Sequence, residues 1–170
     1  MKYMMNGGFK MNSFMRLTLS LTLVFFVGFW ITNFLLFFHK TGLSYKSVVD
    51  YYLGSEAEFT APRSYQGMLE VTHFHMPMMG LVILLLTHLL LFVPIRNGWR
   101  MFWVVIPFLS ALTGEASGWL VRFLHPGFAY LKILAFCMLQ ISLGVVLGLL
   151  FWGIWRKDEK KMQDGDSRGW

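Results

Sequence analysis

The sequence predicts an all-α membrane protein: a four-helix transmembrane bundle, up-down-up-down, with a short outer-surface amphipathic helix between spans one and two. Three observations carry this. Hydrophobic residues make up 56% of the 170-residue chain and charged residues only 14%, against about 25% charged in a soluble domain. Four apolar runs reach the roughly 20 residues that a helix needs to cross a bilayer. Lysine and arginine gather at the ends of those runs, so the net charge of +6 reads as a topology signal and not as a nucleic-acid surface.

The elements follow in order. Residues 1–16 form a charged segment and 17–155 the membrane domain. Its spans are 17–38, 68–93, 101–124 and 130–155, with an outer loop over 39–67; a charged tail, 156–170, is expected to be frayed. Span one exceeds the roughly 7–15 residues of a signal-peptide core and no small-x-small site follows it, so it reads as a retained helix. In the loop, Ser44 caps a helix over Tyr45 to Leu53 that Gly54 ends. Tyr45, Val48, Val49 and Tyr52 give it an apolar face suited to the membrane surface. Ser64 is placed to cap span two. Gly144 and Gly148 form Gly-x-x-x-Gly in span four, a close-packing motif for the bundle or for a homodimer.

Orientation comes from the basic residues. Lys2, Lys10, Arg16, Arg96, Arg100, Arg156, Lys157, Lys160, Lys161 and Arg168 fall on one side; Lys40, Lys46, Arg63, Arg122 and Lys132 fall on the other. The richer side, with both termini, is expected to be cytoplasmic.

The chemistry concentrates in span two: Glu70, His73, His75, Met76, Pro77 and His88. Ionisable groups inside a span are costly and mark function by default. At about 100° per residue, Glu70, His73 and His88 share a broad face and His75 points roughly opposite. His73 and His88 lie about 22 Å apart along the axis, a spacing that resembles the haem-ligating helix of di-haem cytochromes b. His39 and His125 end spans one and three on the outer side, so a haem b near the outer face, held by His73 or His75 with a partner such as His39, is one expectation. A copper site built from His73, His75, His39, His125 and Met76 is an alternative, since imidazole and thioether suit copper. Pro77 is expected to kink the helix and re-aim the nearby histidines. In span three, Glu115 lies seven residues before Arg122, on nearly the same face, where the two are expected to pair directly or through water; Arg122 also stands as a cofactor contact. Glu70 and Glu115 are candidates to carry protons from a quinol. Each of these groups also has a plain structural role open to it, as a hydrogen-bond partner, an ion pair or a headgroup anchor.

Some chemistries are excluded. The single Cys137 allows no internal disulfide, there is no Cys-x-x-Cys-His for c-type haem, and no Gly-x-x-x-x-Gly-Lys-Ser/Thr phosphate loop is present.

The stretches Thr41-Gly-Leu-Ser44, Tyr51-Tyr-Leu-Gly-Ser55, Leu69-Glu-Val-Thr-His-Phe-His75, Thr87-His88 and Phe128-Ala-Tyr-Leu-Lys132 resemble a family of small four-span bacterial inner-membrane proteins of uncertain function. The resemblance implies that the histidines of span two and the acid at Glu115 belong to a common pattern from which His125 is absent. It also implies a companion of respiratory multihaem systems. The functional expectation is therefore a membrane electron-transfer subunit, more an accessory than a stand-alone enzyme. It would bind haem b and exchange electrons with quinol or with membrane or periplasmic redox subunits. Copper handling and a purely structural or assembly role in a respiratory complex are the alternatives.

Overall fold

The computed structural model describes residues 13–156. The expectations for Lys2, Lys10 and the tail from Lys157 onward lie outside these residues. The order is α1 (Ser13–Lys40), α2 (Tyr45–Leu53), α3 (Tyr65–Leu90), α4 (Asn97–Phe123), a 3₁₀ turn (Pro126–Phe128) and α5 (Ala129–Trp155). Four of these helices are long and apolar enough to cross a membrane. Helices close all their backbone hydrogen bonds internally, which lipid requires.

The short helix forms where its end signals lie. Ser44 Oγ accepts from the Ser47 amide at 3.1 Å, and Gly54 ends α2 at φ 82°. A Cβ at Gly54 would strike the Thr60 carbonyl at 2.5 Å, because the chain folds back there and the Arg63 amide reaches the Tyr52 carbonyl at 3.0 Å. The apolar face of α2 does not lie free against lipid. Val48 and Tyr52 are buried with Met68, Val121 and Ala129, and Tyr45 stacks on Tyr130. Thus α2 closes one end of the bundle. At the opposite end Arg100 donates to the Val93 and Ile95 carbonyls and ties the α3–α4 turn. Helix α3 runs through Pro77 as one helical segment.

Helix α5 is the hub. It packs on α4, α1 and α3, and Leu139, Leu143, Val146, Leu147 and Leu150 anchor the main core with Ile83, Leu86 and Leu90 of α3. Helix α1 leans chiefly on α5, where the Trp30 indole donates to the Gln140 carbonyl at 3.0 Å. Helices α1 and α3 barely touch, which leaves a cleft between them.

The Gly-x-x-x-Gly motif divides in function. A Cβ on Gly144 would stand 3.1 Å from Trp30, whereas one on Gly148 meets nothing within 4 Å. Leucine at Gly144 should therefore cost about 1–3 kcal/mol by overpacking, and leucine at Gly148 close to nothing. Denaturation in mixed micelles, read by Trp fluorescence, checks the contrast.

Candidate functional site

One polar cluster sits beneath α2, built from three spans. On α3, Thr72 and His75 are one turn apart and turn inward together. On α4, Glu115, Gly118 and Trp119 share a face by the same spacing. His75 Nδ1 lies 3.1 Å from Glu115 Oε1. With the carboxylate ionised, Nδ1 carries the proton and donates, which leaves Nε2 free to accept one. The Thr72 hydroxyl donates to Glu115 Oε2 at 3.4 Å, and the Trp119 indole donates to the Thr72 oxygen at 2.9 Å. From α5, Lys132 Nζ donates to the Gly114 carbonyl at 2.7 Å, within electrostatic reach of Glu115. The same ammonium lies 6.0 Å from the centre of the Tyr52 ring.

Tyr52 is set by Gly118. A Cβ there would fall 2.7 Å from the Tyr52 hydroxyl, so only glycine admits the ring. Burial, then the neighbouring Tyr51 and Glu115, push the Tyr52 phenol well above its ordinary range, Arg63 opposing. It stays protonated.

Two cavities meet at this cluster. One, of about 500 Å³, runs between α1 and α3; its polar end is His75, Glu115 and Lys132, and most of its remaining wall is apolar, with Phe37, Met79 and Leu143. The other, of about 970 Å³, is polar and opens beside α2 and its loop, reaching Thr72, Glu115 and Trp119.

Of the residues singled out from sequence, His75 and Glu115 come together and the others do not join them. Arg122 is not Glu115's partner: its Nε donates to the Arg63 carbonyl at 2.8 Å, so it ties α4 to the loop, and it lies 5.0 Å from the centre of the Phe123 ring. Glu70 is exposed and accepts from Gln66. His73, Met76 and His88 are exposed along α3, His88 edge-on to Phe92. His39 is exposed at the end of α1, on the wall of the polar cavity. His125 Nδ1 accepts from the Gly127 amide at 3.0 Å and caps the 3₁₀ turn. Among the described residues no three His, Cys, Asp or Glu side chains gather closely enough to hold a metal ion. Sequence reasoning missed Tyr52, Thr72, Trp119 and Lys132. For Thr72 and Trp119 the three- and four-residue spacing from His75 and Glu115 was the available signal; Tyr52 and Lys132 stand on other helices, where no such spacing reports them.

Residues 42–161 match the model of a transmembrane helical domain family, a stretch that holds α2 to α5 and every residue of the cluster. No curated protein and no solved structure matches the chain. With most of its length matched, the chain belongs to this family of transmembrane helical domains.

Proposed function

We propose that the chain is an electron-transfer accessory subunit of a bacterial inner membrane, with α2 on the periplasmic side, that binds a quinol or quinone headgroup at His75, Glu115 and Lys132. The observation that supports this is the placement of the His75–Glu115 pair at the polar end of a mostly apolar cleft between α1 and α3. An isoprenoid quinone has the same two-part chemistry: a flat head with hydrogen-bonding oxygens and a hydrocarbon tail. Quinol oxidation releases two protons and two electrons. The free Nε2 of His75 takes the first proton and Glu115 the second; the electrons pass to a redox-active partner subunit. Of the redox groups the sequence suggests, the geometry favours quinone over haem b. A bis-histidine haem needs two imidazoles at one depth, and of the five histidines only His75 joins the cluster.

The test is equilibrium binding of decylubiquinone to the full chain in nanodiscs, read by quenching of Trp fluorescence. Saturable quenching is expected, and Glu115→Gln should weaken it about tenfold, the scale of one lost charge-assisted hydrogen bond. Quenching that only tracks partition into lipid would refute the reading. A haem absorption band in the purified protein would return haem b to the site.

A further inference from the structure

We propose that Tyr52 is a partition residue: it separates the membrane cleft from a polar vestibule, so that protons pass between them by way of Glu115 alone. The inference deepens the quinone reading and assigns the proton a route. The two cavities have six lining residues in common, Lys40, Thr41, Tyr51, Tyr52, Val71 and Glu115. These residues line both spaces where they adjoin.

Each has a limit on what it can do there. Val71 carries no proton. Thr41 is buried and its hydroxyl donates back to the Phe37 carbonyl at 3.1 Å. Tyr52 keeps its proton, since burial holds the phenol far above neutral pH. Tyr51 packs against Tyr52 and beneath the Arg63 guanidinium, 4.2 Å away. Lys40 ends α1 in the exposed rim. Glu115 alone carries an acid that can load and unload, and it touches both spaces. On its vestibule side it accepts from Thr72; on its cleft side it faces His75. A wall of this kind keeps water from the cleft while letting one group exchange protons, which suppresses leakage around the reaction. The ring that completes the wall is seated by Gly118 and leaves little slack.

Cysteine accessibility tests the partition without any quinone. In a Cys137→Ser background, Thr72→Cys reports the vestibule and Met79→Cys the cleft. A cationic, membrane-impermeant methanethiosulfonate should modify Thr72→Cys readily and Met79→Cys at least about tenfold more slowly; N-ethylmaleimide should reach both. Adding Tyr52→Ala should bring Met79→Cys into reach of the cationic reagent, whereas Tyr52→Phe, which keeps the ring, should not. Equal rates at the two positions with Tyr52 in place would overturn the partition. So would an unchanged Met79→Cys rate in Tyr52→Leu, the variant to use if alanine unfolds α2. Failure of decylubiquinone to slow maleimide at Met79→Cys would count against the quinone alone and leave the partition standing.

Discussion

Replacing Glu115 by leucine is expected to destabilise the bundle by about 3 kcal/mol, and adding Lys132→Met should recover most of that loss. Lys132 carries its ammonium between helices, with the Gly114 carbonyl as its hydrogen-bond partner and Glu115 as the countercharge nearby. Removing one member of a buried charge pair leaves the other uncompensated, which typically costs about 3–5 kcal/mol. Replacing both members by apolar groups of similar shape is often near neutral. Glu115→Gln should fall between, because an amide can still meet His75 and Thr72 but carries no charge. Unfolding in mixed micelles across the single and double variants gives the coupling energy. A coupling near zero would remove Lys132 from the site.

Substituting Gly118 by valine should be the most damaging glycine change among the described residues outside the α2 turn. The new Cβ would stand 2.7 Å from the Tyr52 hydroxyl and 3.0 Å from Cζ, and valine adds two methyls beyond it. Tyr52 must leave, and with it the packing of Val48, Met68, Val121 and Ala129 loses its centre. Overpacking costs about 1–3 kcal/mol. Quinone binding should weaken as well, since the wall of the cleft goes with the ring. The remedy is specific: Tyr52→Ala in the Gly118→Val protein should recover part of the stability, because the two changes relieve one clash and so are not additive. Near-UV circular dichroism and thermal unfolding of the four proteins would show it. Full additivity would mean that Gly118 matters for some contact other than Tyr52.

The helices were legible because lipid imposes a length and apolar runs report it. The short helix was legible too, since Ser44 and Gly54 are strong end signals and the structure ends α2 where they stand. The start of α3 moved because a cap lies upstream of the apolar run: Ser64 starts it at Tyr65, before the hydrophobic stretch begins. Helix α4 starts early as well, at Asn97, with no side-chain cap. Sequence periodicity also separates His75 from the face of His73 and His88, as observed.

What the sequence did not reveal is which faces meet. Pairing across helices depends on how each helix is rotated about its axis, and no residue count within one helix reports that. Same-face spacing suggested Arg122 for Glu115, yet seven residues along a helix is about 10 Å, far enough for Arg122 to reach the loop instead. Lys132 read as a charge at the membrane edge. Its role emerges only because α5 carries it inward against Gly114. The apolar face of α2 read as a membrane-surface face, because a sequence does not distinguish lipid from the end of a bundle as the surface that covers it.

The most direct test is photolabelling with a short-tailed azidoquinone in native-like membranes, followed by mass spectrometry of the peptides. Label is expected on α3 and α4 around His75, Met79 and Glu115, and an excess of unlabelled quinone should remove it. Label spread over the lipid-facing surfaces of α1 and α5, indifferent to competitor, would contradict a headgroup site at the His75–Glu115 pair.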